Sequence, residues 1–438
     1  MSDLQQKNCE NGRRDTLLLA LGGALALAPF VLLQSEFSKL FWFGDDWDLL
    51  DQIQRMGTWK WTWQVFAENF VPLFKLLWSG GVHLFHGGYF GMLVLLWLTH
   101  AFNTYQFGRV LRRHGFSWFS SLVCQIVFGL TPANLETLGW STQWSAVLAT
   151  TFLLIGLERI AQNEPHMSQP TWKHVLMLVV FSTASALSFS RGILTGAIFA
   201  LACLWPAPHG LSFAQRLLQA ALYTLPGFIV AVLIMSLATG NHQNFNGHLL
   251  DAADYALWVF CMNPLYRLVE MDSWGLHTIA ILGISKVLLV GWGLLRCDRR
   301  QRMLLILLLA FDFGNAALLG IGRYHTGLVT TISSRYQYST LIATLPYIAI
   351  WIEYMVVVKL GSTPRLQRSA IVVAIVLILV LSSHRWPNEI RGFAQTRGSD
   401  TRKIIFTDPN PPENGAIPGI SFLSTARAKE LTKHYNLH

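Results

Sequence analysis

Charge is what this sequence has least of. Only 13% of its 438 residues are Asp, Glu, Lys or Arg, while 52% are hydrophobic. A soluble domain carries about 25% charged residues, and a soluble chain of this length would divide into domains with polar surfaces. That class is excluded. Cysteine is sparse too: the five residues Cys9, Cys124, Cys203, Cys261 and Cys297 are scattered, with no CxxC pair. This argues against a disulfide framework and against a zinc site. Also missing are a Walker A motif, HExxH, GxSxG and a dinucleotide fingerprint, which speaks against ATP hydrolysis by this chain. The net charge of +9 sits in short loops rather than in a basic stripe, so nucleic acid is not the expected partner.

What the sequence does contain is a series of apolar runs, several long enough for the roughly 20 helical residues that cross a bilayer. With Lys and Arg marking cytoplasmic loops, they predict an all-α polytopic membrane protein of about eleven spans, N-terminus cytoplasmic and C-terminus external. The first run, 16–34, follows Lys7, Arg13 and Arg14 and lacks a convincing cleavage site, so it reads as a retained span. A long external loop, 35–87, follows. Span two covers 88–108. Spans three (116–131) and four (142–158) turn at Pro132-Ala133-Asn134.

The stretch 174–207 reads as one long helix or as a hairpin broken at Ser190-Arg191-Gly192. Parity selects the hairpin, because only then does the arginine-rich loop 296–302 fall inside. Spans then follow at 216–238, 273–295, 303–321, 338–358 and 369–385. The segment from Tyr255 to Glu270, interrupted by Asn263, Pro264 and Arg267, is expected to lie along the membrane without crossing it. Residues 1–385 thus form one membrane unit. Residues 386–438 form a short external tail, expected as a small appendage or partly disordered.

Candidate chemistry begins after span one. In Phe43-Gly44-Asp45-Asp46-Trp47-Asp48-Leu49-Leu50-Asp51, four carboxylates fall within seven residues at the outer mouth of a helix. Mutual repulsion would raise one pKa or recruit a cation, and a raised pKa suits a general base. A helix cap explains one aspartate, not four. Trp59, Trp61 and Trp63 read as an interfacial helix. Glu68 and Asn69 add a carboxylate and an amide, while His83 and His86, without further ligands, make a poor metal site.

Three arginines occupy outer span ends against the positive-inside tendency: Arg191, Arg323 (in Gly322-Arg323-Tyr324-His325) and Arg335. Their planar forks suit phosphate, although each also has the simpler option of reaching ordinary lipid headgroups. Lys286 and Asp312 lie in adjacent spans at similar depth and are predicted to form a structural ion pair.

A short inside N-terminus, one span and an acidic cluster opening a long external loop resemble the GT-C superfamily of membrane glycosyltransferases. Protein O-mannosyltransferases and the aminoarabinose transferases of lipid A belong to it. Trp140-Ser141-Thr142-Gln143-Trp144 looks like the outer turn between spans three and four of bacterial members. The resemblance implies a GT-C-like fold and transfer of a sugar from a polyprenyl-phosphate donor to a lipid or glycan acceptor on the external or periplasmic face. It implies Asp45 and Asp46 as catalytic and Arg191, Arg323 and Arg335 as holding the donor phosphate; Trp140 and Gln143 of the turn, with Glu68, Asn69 and His325, are the further candidates for binding substrate. No cofactor is required by such chemistry, and a divalent metal is possible but not favoured. Two departures stand out: the acidic pair is Asp-Asp rather than Asp-Glu, and the tail is too short for a large periplasmic domain. A lipid-linked glycan polymerase or ligase, or a flippase of lipid-linked sugars, are the alternative readings.

Overall fold

A computed structural model describes residues 16–66, 69–163, 171–205, 211–237, 247–269, 275–359, 364–407 and 423–438. Among these the chain is helical, with no strand beyond an isolated bridge between Phe66 and Asn69. The principal helices are α1 (Thr16–Leu32), α2 (Asp45–Met56), α3 (Pro72–Leu84), α4 (Tyr89–Arg113), α5 (Trp118–Leu130) and α6 (Trp144–Asn163). After them come α7 (Trp172–Ala186), α8 (Ile193–Leu204), α9 (Phe213–Leu237), α10 (Leu249–Met262), α11 (Leu276–Arg296) and α12 (Arg299–Arg323). The chain closes with α13 (Gln337–Glu353), α14 (Pro364–Ser383), α15 (Trp386–Ala394), α16 (Asp400–Thr407) and α17 (Thr425–Tyr435).

This is a helical multi-pass membrane protein, but the count of eleven spans is not reached. Among the described residues six helices are long and apolar enough to cross a bilayer, or seven if α5 and the short helix beyond Pro132, bent by 49°, are one span. The shortfall has physical causes. Helix α4 is 25 residues long but carries His100, Asn103 and Gln106 in its buried face, which lowers its hydropathy. Helices α1, α7 and α8 are apolar but short.

The break at Ser190-Arg191-Gly192 is present as a 3-10 turn between α7 and α8. The two helices run back antiparallel, with Ser185 and Thr195 hydroxyls 2.8 Å apart. Small residues allow this hairpin to pack at backbone contact: a Cβ on Gly196 would lie 2.0 Å from the Tyr223 carbonyl of α9.

The expectation of a segment lying flat over 255–270 needs correction. Helix α10 begins earlier, at Leu249, and runs alongside α12, with the Ala252 carbonyl against Gly320. Its far end delivers Asn263 to Lys286 and Asp312, eight residues further into α12. A helix that descends and then turns back at Asn263-Pro264 keeps its backbone bonds satisfied, and its tip is buried in protein. The predicted Lys286–Asp312 pair is there at 2.7 Å, both side chains buried. Lys286 Nζ also donates to the carbonyls of Phe260 (2.7 Å) and Asn263 (2.9 Å). Asn263 in turn donates to the Thr331 carbonyl at 2.8 Å and accepts from the Gln337 amide. The pair therefore anchors the α10 tip, and the tip anchors the segment that carries Arg335.

The tail is no separate appendage. Trp386 is buried and donates its indole N–H to the Leu130 carbonyl, and Gly398 lies against the Lys39 backbone. In α17, Arg427 pairs with Asp51 at 2.7 Å and the Tyr435 hydroxyl donates to the Leu50 carbonyl. The tail helices therefore cover the loop 35–87.

Removing one partner of a buried ion pair leaves an uncompensated charge and costs about 3–5 kcal/mol. Lys286→Met should lose that much in detergent unfolding, and Lys286→Met/Asp312→Leu should recover over half of it. A single variant as stable as wild type would rule out the anchoring role.

Candidate active site

The four carboxylates of the acidic motif do not form one cluster. Successive residues on a helix project about 100° apart, and α2 sends Asp45, Asp46 and Asp51 in different directions. The helix starts from Gly44, whose positive φ of +57° turns the chain, and a Cβ there would press on the Trp140 ring at 3.0 Å. Phe43 stacks on the same ring at 5.1 Å. No aspartate caps the helix through its side chain. Asp51 faces the tail, paired with Arg55 and Arg427.

Asp46 points inward and is fully buried. Its Oδ1 meets the Ser141 hydroxyl at 2.6 Å, and its Oδ2 accepts from the Phe43 N–H at 3.3 Å. Ser141 also accepts from the Trp78 indole at 2.9 Å, and its N–H donates to the Tyr89 hydroxyl at 3.2 Å. Burial pushes the Asp46 carboxyl up to about 8, against the lowering effect of the hydrogen bonds from Ser141 and Phe43. Asp46 is thus a neutral, buried tie between α2, α3, α4 and the 141–143 turn.

Asp45 is the half-buried member, and it feels the charge of two arginines. Burial raises its carboxyl above the ordinary range, while the charges of Arg335 and Arg323 draw it down. Arg335 also lies within electrostatic reach of Glu136 and of Arg191. Arg191, only 5% exposed, donates to the Ser339 hydroxyl at 2.6 Å and sits over the Phe189 ring at 4.7 Å. Among the described residues no carboxylate pairs with it. Arg323 and Arg335 thus lie within electrostatic reach of Asp45, and Arg191 within reach of Arg335. A concentration of buried positive charge of this kind suits a multiply charged anion.

Of the remaining predicted binding residues, Trp140 packs against Phe43 and Gly44, and Gln143 is buried in the same turn. Asn69 lies in a loop docked beside the Arg191 hairpin, where the Leu73 N–H donates to the Leu187 carbonyl and Phe70 packs with Ala186. His325 is exposed and meets the Tyr324 ring edge-on, next to Arg323. Glu68 lies outside the described residues. Asn69 Oδ1, Trp140 Nε1 and Arg335 Nε are buried without a hydrogen-bond partner, an arrangement a polar ligand would relieve. Among the described residues no group of three or more His, Cys, Asp or Glu is placed to hold a metal. His83 instead neighbours the Tyr435 ring of the tail.

Of the three tryptophans expected at the membrane interface, Trp59 and Trp63 are exposed and meet edge-on at 5.5 Å, whereas Trp61 is buried inside the protein. Lys75 explains the exception. Its ammonium lies over the Trp61 ring at 4.7 Å and donates to the carbonyls of Trp61 and Gln64, and burial brings its pKa down to about 7.

Sequence reasoning missed Glu136. Its carboxylate accepts from the Ser333 hydroxyl at 2.9 Å and the Arg335 N–H at 3.2 Å, fixing the Arg335 turn. A lone acid in the apolar outer turn after Pro132 was the available signal.

No family model matches the chain, and no curated protein does. Among solved structures it is similar to the oligosaccharyltransferase of Archaeoglobus fulgidus, crystallised tethered to an acceptor peptide containing the NVT sequon via a disulfide bond. That similarity has a TM-score of 0.47 and 11% identity, over 97% of this chain and 59% of the other. The chain therefore spans less than two thirds of that protein's length. So weak a likeness leaves the site to be read from its own geometry.

Because the folded state holds the Asp46 proton better than the unfolded chain, the stability linked to it is complete below about pH 4. It is lost as pH rises through about 8. Asp46→Asn, a neutral isostere, should melt with wild type at pH 4 and above it at pH 9. Parallel melting curves at both pH values would show that Asp46 is already ionised in the fold.

Proposed function

We propose that the protein is a membrane glycosyltransferase that moves a sugar from a polyprenyl-phosphate donor to an acceptor hydroxyl on the external face. The observation that carries this is that Asp45 lies within electrostatic reach of Arg335 and Arg323, and Arg335 within reach of Arg191, itself buried without a carboxylate among the described residues. A proton acceptor and a set of phosphate partners then share one site at outer helix ends.

In this reading Asp45 takes the proton of the acceptor hydroxyl as its oxygen bonds to the sugar C1. The bond from C1 to the phosphate oxygen breaks, and the lipid phosphate leaves with the electron pair. Displacement from the opposite side inverts the anomeric centre. Arg335, Arg323 and Arg191 bind the phosphate and stabilise the charge that grows on it. Asp45, its carboxyl raised by burial and drawn down by the two cations, takes the part of the base in this reading. Asp46, protonated and enclosed, positions it. The phosphate is already a good leaving group, so the chemistry does not need a metal. An N-terminus in the cytoplasm and a site facing outward complete the proposal.

The test is surface-glycan composition in a deletion strain carrying wild type, Asp45→Asn, Asp46→Asn or Arg335→Gln at equal protein level. One sugar should vanish on deletion and return with wild type and largely with Asp46→Asn. Asp45→Asn should cut its transfer by about 10²-fold or more, and Arg335→Gln should also lower it. Full restoration by Asp45→Asn would remove the enzyme reading.

A further inference from the structure

The tail does more than cover the loop 35–87. Between α15 and the short helix Leu135–Gly139 lies an open groove of about 690 Å³, lined by Arg385, Asn388, Glu389, Phe393, Thr396 and Arg397 among others. Its size fits a ligand of several rings, and its lining mixes polar side chains with an apolar surface, as a sugar ring with one hydrophobic face requires. The amide of Asn388 and the hydroxyl of Thr396 both lie exposed. Phe393, packed against Gly139 and edge-on to Phe43 at 5.9 Å, supplies an aromatic face.

The charge in the groove is uneven. Arg385 is engaged with Glu389 at 2.5 Å, so those two largely cancel. Arg397 does not cancel: its guanidinium lies over the Phe43 ring at 4.9 Å and the Phe393 ring at 5.5 Å, with no ion pair among the described residues. Two rings hold its plane in place, which lowers the entropy lost when its fork binds an anion.

The groove borders the candidate site without being part of it. Leu135, in its wall, and Gly139, beneath Phe393, lie four apart on one face of the short helix. Glu136 and Thr137 leave that helix in another direction, toward Ser333 and Arg335. Phe43, under Arg397, is two residues from Asp45. The phosphate-binding arginines and this groove thus approach the start of α2 from different sides.

We propose that the groove is the acceptor subsite, and that it takes a carbohydrate bearing a negative charge, held by Arg397 with Asn388, Thr396 and Phe393. This rests on the glycosyltransferase reading above for the word acceptor, but not for the binding itself. A sugar ring would stack on Phe393 while its hydroxyls meet the polar wall, and its acidic group would sit on Arg397. The tail would then be the element that selects what receives the sugar.

The experiment is a saturation-transfer NMR titration of the full-length protein in detergent with trigalacturonate and, as a neutral probe, maltotriose. Wild type should bind trigalacturonate better than maltotriose. Arg397→Gln, which removes a charge-assisted contact, should weaken trigalacturonate about tenfold. Asn388→Trp, placed at an exposed position so that folding is spared, should fill the groove and weaken both probes. Equal binding of the two probes, no binding of either, or binding untouched by both substitutions would each overturn the proposal. Because the titration reads binding and not transfer, its failure leaves the Asp45 test standing, and failure of that test leaves this result intact.

Discussion

A carboxyl group buried completely at the start of α2 holds together the half of this protein that contains the loop after the first helix. Asp46 ties the loop after the first helix to the Ser141 hydroxyl, and Ser141 ties that contact to Trp78 of α3 and Tyr89 of α4. Burial keeps the carboxyl protonated near neutral pH, so it ties these elements through hydrogen bonds without the cost of an enclosed charge. Once Asp46 is fixed inward, the helix turn leaves Asp45 within electrostatic reach of the arginines and Asp51 facing the tail. Three roles for neighbouring acids follow from one orientation.

The arginine side depends on a second buried contact. Lys286 and Asp312 would be a poor relay, since the ammonium is committed to a carboxylate and two carbonyls at once. What they achieve is position. The ammonium holds the tip of α10, Asn263 at that tip holds Thr331 and Gln337, and Arg335 lies between those two in sequence. Glu136 fastens the same turn from the other side. A charge pair inside the helices and a carboxylate in an outer turn thus converge on one guanidinium.

The sequence by itself determined the membrane class, the helical makeup, the break at Ser190-Arg191-Gly192 and the pairing of Lys286 with Asp312. Each follows from local composition, from parity of charge across the bilayer or from the penalty on a lone intramembrane charge, all readable along the chain. It also marked Asp45, Arg323 and Arg335 as residues needing an explanation. The tertiary structure decided the rest. Adjacent aspartates are indistinguishable in one dimension, and only helix phase and packing against Trp140 and Ser141 turned one inward. Helix α10 looked interfacial because its turn residues interrupt an apolar run, and only its contacts along α12 show that it descends. The tail looked like a small appendage because it is polar, yet Trp386, Ile390, Ala428 and Leu431 are buried against the rest of the molecule. Such long-range contacts leave no period in the sequence, so they become visible only when the chain is folded.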